Sequence, residues 1–399
     1  MAMRMTQMDT ILIRMLYLTA AGIVMLTVLG AETVSSALFG LTFVLVVLLW
    51  LSGSMRNVIW TDAVMILLIG LTLGNVIINA WVEGTPVNVN YFKKYIMFIC
   101  TLIYFQAAFK LHIDDATEKF LLNINSLLAV IFVAAYAVND PAIYMIRGRV
   151  SNYLTFGFTN PNLVALFLMC IYTGEMIRFF KNKSVFGRLF HLLLAAAVCF
   201  FIWETESRNC LITIALETVF CILLHLTRKG FRFPKWLAFV VAVWPLLFVM
   251  VYMAFVYNAR IQELFAFLVS EGKSLGARIS VWQPALKYYW ESPIWGAYSQ
   301  ISRGTGMSQM HNSHLDILVS YGTVVLILVC GLLYSMLYSR NRQNLKAETM
   351  ARICFAATII MGMGEAALFS GGLGIYLFAG MFLLMCNKEQ KEPAERLAG

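Results

Sequence analysis

Two histidines, His311 and His314, stand three residues apart in the stretch MHNSHLDILVSYG, just before a long apolar run. The whole chain has only five histidines. An imidazole near neutral pH can take a proton from a hydroxyl group, so one of this pair could act as a general base. A structural metal site needs four ligands, and Asp316 is the only other residue close by in the sequence that could bind a metal. The pair therefore predicts proton transfer and no metal site.

Two arginines, Arg208 and Arg278, could assist a reaction in which the hydroxyl deprotonated by the histidine displaces a diphosphate. A guanidinium group offers a fixed fork of donors that suits phosphate oxygens, and two of them would stabilise the charge on a departing diphosphate. This chemistry requires neither a metal nor a cofactor, and the sequence has no Walker-type glycine loop. Each arginine also has a structural alternative. Arg208 could pair with Glu204 or Glu206, and Arg278 could stack on Trp282.

Five residues are secondary candidates for the same site. Asn312 follows the first histidine, and His314 either orients His311 or packs in the protein. Arg147 and Arg149 would face lipid headgroups or a glycan. Glu365 is predicted near the outer end of an apolar span, where an ionisable group is a functional hypothesis by default. The eight cysteines are scattered without a CxxC pair, so we expect small apolar side chains and no disulfide or metal ligand.

The composition predicts the elements that must position these residues. The chain of 399 residues is 60% hydrophobic and 13% charged, against about 25% charge in soluble domains. Runs of about 20 apolar residues read as membrane-spanning helices. The fold class is thus an all-α polytopic membrane protein, a single integral membrane domain over residues 1–399. About twelve spans are predicted, at 11–30, 34–53, 58–80, 95–109, 120–138, 160–180, 187–203, 209–226, 236–257, 315–338, 351–369 and 371–386.

The basic residues predict how the spans are oriented. The net charge is +9, and the short loops RFFKNKSVFGR, LTRKGFRFPKW and YSRNRQNLKAETMAR hold much of it. Cytoplasmic loops of membrane proteins are enriched in Lys and Arg, so these loops are expected inside, and the charge need not indicate nucleic-acid binding. Both termini are then cytoplasmic, the first apolar run is a span rather than a removed signal, and His311 and His314 lie outside.

The longest segment between predicted spans, residues 258–314, is expected to be a folded extracytoplasmic loop. It is rich in aromatic residues, which are rare in disordered chains. Helical spacing of apolar residues predicts short interfacial helices over 260–268 and 276–291. Pro293 and Gly296 would end the second helix. The loop's tryptophans would lie at headgroup depth as an aromatic belt, namely Trp282, Trp290 and Trp295.

Four segments together carry a resemblance to a known family. They are RGRVSNYLTFGFTNPNLVALFL with its Asn160-Pro161-Asn162, TESRNCLIT, GARISVWQPALKYYWESPIWG, and HNSHLDILVSYG with its Gly322. In this order, with the long loop before the His-Asn pair, they resemble the O-antigen ligase and Wzy polymerase superfamily of bacterial membrane glycosyltransferases. The resemblance implies that Arg208 and Arg278 bind a diphosphate and that His311 is the catalytic base. It covers less than half of the chain.

The resemblance also implies the substrates and the place of reaction. The donor would be a glycan on undecaprenyl diphosphate, the acceptor another glycan, and the site the outer face of the bacterial inner membrane. Polymerisation of capsule, exopolysaccharide or O-antigen is the first expectation. Ligation to a different acceptor and transport by a flippase are the alternatives, and a nonenzymatic scaffold is a third. The expected partners are the lipid bilayer and other membrane proteins of polysaccharide assembly. Nucleic acid is not an expected partner.

Overall fold

The computed structural model describes residues 3–4, 6–30, 32–56, 58–82, 89–147, 152–158, 160–227, 233–258, 260, 275–297, 310–338, 346–366, 369 and 375–386. Long helices dominate these ranges. In chain order they are α1 (Gln7–Val28), α2 (Glu32–Arg56), α3 (Trp60–Val82), α4 (Val89–Lys110), α5 (Asp115–Val138), α6 (Pro161–Lys181), α7 (Val185–Glu204), α8 (Arg208–Leu226), α9 (Lys235–Tyr257), α10 (Leu275–Glu291), α11 (Ser313–Leu337), α12 (Lys346–Met361) and α13 (Ile375–Cys386).

The all-α membrane architecture is confirmed. Each predicted span overlaps one of these helices, and α10 falls within the predicted long loop. By length and composition, 8 helices in the described ranges can cross a membrane. The helix α13 is apolar but has only 12 residues, so the count of twelve spans stays a prediction. The predicted helix over 276–291 is confirmed in α10, while the one over 260–268 lies outside the described residues, apart from Arg260.

Four short strands lie beside the helices. β1 (Met3–Arg4) pairs in parallel with β2 (Leu111–His112), and β3 (Met145–Arg147) pairs antiparallel with β4 (Asn152–Leu154). The helix starts follow the capping rules. Asn160 caps α6 by accepting a hydrogen bond from the backbone N–H of Asn162, with Pro161 in the first turn. The Asn160-Pro161-Asn162 motif therefore forms the start of α6.

Among the described residues, the helices α6 and α13 are largely buried inside the bundle. All residues of α13 are buried, and 78% of the apolar window of α6 is buried. Both α4 and α12 contact α13. By contrast, only 33% of the apolar window of each of α7, α8 and α9 is buried. In a helical bundle the apolar side chains that are not buried face outward, and such faces suit contact with lipid chains.

The helices α9 and α11 each contain a residue that departs from regular helical hydrogen bonding or geometry. Pro245 lies inside α9, where proline has no N–H for the hydrogen bond to the carbonyl four residues earlier. In α11 the helical geometry breaks at Gly322, whose φ of 87° is in the left-handed region. A Cβ atom on Gly322 would lie 1.8 Å from the backbone oxygen of Ile294, so only glycine fits there.

The segment after α10 fills the break in α11. The backbone N–H of Thr323 donates to the carbonyl of Pro293 at 2.9 Å, and that of Ala297 donates to the carbonyl of Val319 at 2.8 Å. Gly296, with a φ of 73°, leaves no room for a Cβ against the Ser320 backbone. The loop helix α10 is thereby docked on α11, close to the start of that helix.

Candidate active site

His311 lies immediately before α11 in a strained backbone conformation. Its φ is 50°, a left-handed value that is uncommon for residues other than glycine. The imidazole is 29% exposed, and its Nδ1 lies 3.4 Å from Oε2 of Glu365, a carboxylate that is only 1% exposed. Strained residues cluster at functional sites because the surrounding structure must hold them in place. A partly exposed imidazole against a buried carboxylate is the arrangement of a general base and its orienting group.

Asn312 anchors the turn that presents His311. It is fully buried, and its Oδ1 accepts a hydrogen bond from the backbone N–H of Leu315, which caps α11. Its Nδ2 donates to the carbonyls of Pro245 at 2.7 Å and Met363 at 3.1 Å. One side chain thus ties the start of α11 to Pro245 in α9 and to the turn after α12.

The residue before His311 is held just as firmly. The carbonyl of Met310 accepts a hydrogen bond from Nε1 of Trp282 at 2.7 Å, and its N–H donates to Oδ1 of Asp316 at 3.2 Å. The same Asp316 oxygen lies 2.9 Å from Nζ of Lys94 on α4. Contacts from α4, α10 and α11 therefore fix the backbone on one side of His311, and Asn312 fixes it on the other.

Glu365 comes from a short turn, residues 362–366, which we call the acidic turn. The backbone N–H of Ser313 donates to the carbonyl of Gly362 at 2.8 Å, which joins the turn to α11. A Cβ on Gly364 would lie 1.8 Å from Nδ2 of Asn209, so the turn also packs directly on the first residues of α8. The sequence GMGE carried this signal, since two glycines before a carboxylate allow such close packing.

Arg208 is the first residue of α8 and is exposed at the end of the bundle that carries His311. Glu206, two residues before Arg208, has a φ of 53°, so it is a second left-handed residue close to the candidate site. A helix start has positive dipole character and free N–H groups, both of which suit an anion. Since Asn209 packs on the acidic turn, the structure brings Arg208, Glu365 and His311 to the same end of the bundle.

The comparison with known families bears on this group of residues. Residues 191–330 match the family model of the O-antigen ligases, Wzy_C. The match confirms the resemblance to the O-antigen ligase and Wzy superfamily. At the family level the match supports glycosyl transfer of the ligase or polymerase type, and lipid-linked glycans are the substrates that this family implies. A search of curated proteins found no match.

The O-antigen ligase match includes Arg208, Arg278 and His311, whereas Glu365 and Lys94 lie outside it. Arg278 belongs to α10, but its side chain lies outside the described residues. The same holds for the side chain of Arg147, whose backbone forms β3, and for the whole of Arg149. The diphosphate-binding roles of the two arginines therefore stay predictions.

His314 has a different environment from His311. It is fully buried, its Nε2 donates to the carbonyl of Ala242 at 2.7 Å, and its Nδ1 lies 3.2 Å from the hydroxyl of Ser313. Pro245 has no N–H to donate to the carbonyl of Val241, and Ala242 is the next residue in the same turn of α9. Of the two predicted roles, the geometry favours packing. Both ring nitrogens have protein partners, which also makes a shared metal site with His311 incompatible with this arrangement.

Two predictions about individual residues are wrong. Trp282 does not belong to an aromatic belt, since it is 0% exposed and donates to Met310. Its indole is needed inside the protein because it satisfies a buried carbonyl. Glu365 does not lie within a helical span, because α12 ends at Met361. The two glycines of the acidic turn end the helix there. Trp290 and Trp295 are exposed, as the belt prediction requires.

A second ionisable cluster lies deeper in the bundle, where sequence analysis expected only apolar cysteines. The ligand atoms of Glu217, Cys221 and Cys354 lie within 4.8 Å of one another, and all three residues are buried. Glu217 and Cys221 are four residues apart on α8, on one helical face. A closed zinc site takes four ligands, so these three form part of one at most. Glu217 lies nine residues, or about 13 Å, along α8 from Arg208, so the cluster is separate from the His311 group.

Proposed function

We propose that this protein transfers a glycan from an undecaprenyl-diphosphate donor to a sugar hydroxyl, at the extracytoplasmic face of the bacterial inner membrane. Repetition of this transfer would polymerise a capsule, an exopolysaccharide or an O-antigen. The observation that carries the proposal is the pairing of His311, in a strained left-handed conformation, with the buried carboxylate of Glu365.

The pairing determines which nitrogen of His311 acts. A carboxylate accepts hydrogen bonds, so Glu365 favours the tautomer with a proton on Nδ1, which leaves Nε2 as the basic nitrogen. As the acceptor hydroxyl oxygen bonds to the anomeric carbon, its proton passes to Nε2. The bond between that carbon and the diphosphate oxygen breaks, and undecaprenyl diphosphate leaves with the electron pair. Glu365 would stabilise the imidazolium that forms, as a triad carboxylate does. The distance of 3.4 Å is long, and such contacts commonly tighten when substrate binds.

The leaving diphosphate needs positive charge close to the base. Arg208 is exposed at the start of α8, where the helix dipole adds to its charge. Arg278 on α10 is the second candidate, and α10 is docked close to His311 through Trp282 and Met310. Charge stabilisation by groups fixed in advance is commonly the largest single contribution to such catalysis.

Ligation is the second candidate function, because the matched family is described as O-antigen ligase. The donor and the base would be the same in both reactions. Only the acceptor differs, which would be a lipid-linked repeat for a polymerase and lipid A core, a teichoic polymer or a protein for a ligase.

Surface-glycan profiling in the source bacterium tests the proposal. We expect a deletion strain carrying His311→Ala or Glu365→Gln to accumulate single repeat units, with the variant present in the membrane at normal abundance. The matched control is His225→Ala, a histidine at the opposite end of α8, which should restore the normal ladder. Ladders that form on the lipid but do not reach the final acceptor identify a ligase. Normal glycan from the His311→Ala strain would refute both reactions.

A further inference from the structure

A lysine on a distant helix is connected to the backbone that carries His311. Nζ of Lys94 lies 2.9 Å from Oδ1 of Asp316, across 222 residues of sequence. The two side chains are 16% and 7% exposed. Ion pairs this well shielded interact much more strongly than surface pairs, and loss of one partner leaves a poorly solvated charge.

Asp316 serves two partners through a single oxygen. Its Oδ1 contacts Lys94 and also accepts the hydrogen bond from the backbone N–H of Met310. Met310 immediately precedes His311, and its carbonyl is held by Trp282. The orientation of the Asp316 carboxylate therefore helps to set the position of the peptide that leads into His311.

We propose that Lys94 is a positioning residue for His311, acting through Asp316 and Met310. The proposal rests on the proposed function of His311 as the base. Without the ammonium group, the Asp316 carboxylate loses the counter-charge of Lys94 and turns toward solvent or takes up a proton, and either change weakens its hydrogen bond to Met310. His311 is held in an unfavourable backbone conformation, so it depends on such external contacts. A displacement of about 1 Å at a reacting group can cost about 100-fold in rate.

The helix α4 supplies its own control. Lys110, at the other end of α4, pairs with Asp62 of α3 at 2.8 Å, and both side chains are 2% exposed. The two lysines are sixteen residues apart, or about 24 Å along the helix. The Lys110 pair joins two helices as the Lys94 pair does, but it lies far from His311. A purely structural role for Lys94 predicts the same behaviour for both lysines.

The experiment measures kcat and KM with purified protein and an undecaprenyl-diphosphate-linked glycan extracted from the deletion strain. We expect Lys94→Met to lower kcat about 10- to 100-fold with little change in the donor KM, because the diphosphate-binding arginines are untouched. Lys94→Arg should restore most of the rate, since it keeps the charge. Lys110→Met should reduce thermal stability but leave kcat per folded molecule unchanged.

A double-variant cycle tests whether Lys94 acts through Asp316. Asp316→Asn keeps an oxygen that can accept from Met310 but removes the charge, and it also serves if Lys94→Met does not fold. The double variant should lose no more rate than the worse single variant, whereas independent losses would multiply.

Several results would overturn the proposal. They are an unchanged kcat in Lys94→Met, a loss confined to KM, equal kcat losses in the Lys94 and Lys110 variants, or multiplying losses in the cycle. Failure of the proposed function itself gives a different result, since His311→Ala would then transfer glycan as fast as the unaltered protein.

Discussion

The substitution Asn312→Ala tests whether one amide holds the candidate site together. Asn312 caps α11 and donates to the carbonyls of Pro245 and Met363. Loss of an asparagine cap costs about 1 kcal/mol, and each lost hydrogen bond costs about 0.5–1.5 kcal/mol net. The expected total is about 2–4 kcal/mol. Asn160→Ala is the matched control, since Asn160 also caps a helix. Among the described contacts, the side chain of Asn160 accepts only the capping hydrogen bond from Asn162. This substitution should therefore cost about 1 kcal/mol.

Thermal unfolding of the purified variants in one detergent measures the difference through intrinsic fluorescence. Asn312→Ala should lower the midpoint by at least about twice as many degrees as Asn160→Ala, in proportion to these energies. Asn312→Asp is a sharper variant, because it keeps the capping oxygen but loses both N–H donors and sets a carboxylate against two carbonyls. It should be at least as unstable as the alanine variant. Equal midpoints for the Asn312 and Asn160 alanine variants would refute the reasoning.

Two further predictions concern the loop docked on α11. Gly322→Ala should abolish the folded, monodisperse protein in size-exclusion chromatography, because its Cβ would lie 1.8 Å from a backbone oxygen of the inserted segment; Gly331→Ala, on the same helix with nothing within 4 Å, should behave normally. Trp282→Phe should reduce the initial rate of glycan transfer while the protein stays folded, because the buried carbonyl of Met310 loses its donor. Trp290→Phe, at an exposed position, is the control, and equal rates for the two tryptophan variants would contradict this prediction.

Structural elements that depend on local sequence patterns can be predicted from this sequence. Apolar runs located the helices, and helical spacing located α10 to within one residue at its start and at its end. The motif residues Pro293, Gly296 and Gly322 were also singled out. The sequence does not show what these residues do, because they allow two backbone segments that are 22 to 30 residues apart to come into contact.

Contacts between distant elements account for what sequence reasoning missed. Glu365 and His311 are 54 residues apart, and the helices α11 and α12 lie between them in the chain. Sequence reasoning makes Glu365 a possible site residue because it assigns this residue to the outer end of a span, whereas the structure places it in a turn directly beside the imidazole. Lys94 gave no signal at all, since a basic residue at the end of a span is ordinary in a membrane protein. Trp282 was assigned to the membrane surface for a similar reason, as tryptophan is common there.

The most direct test of the central claim is the turnover of purified His311→Ala with the extracted undecaprenyl-diphosphate-linked glycan. The rate is followed by the release of undecaprenyl diphosphate and the growth of the glycan. A general base contributes about 10²- to 10⁴-fold, so kcat should fall by that factor while the thermal midpoint stays near that of the unaltered protein. The unaltered protein should also lose activity as the pH is lowered, since a protonated imidazole cannot accept a proton, and this pH dependence should be missing from the variant. A folded His311→Ala protein with unaltered turnover would contradict the account.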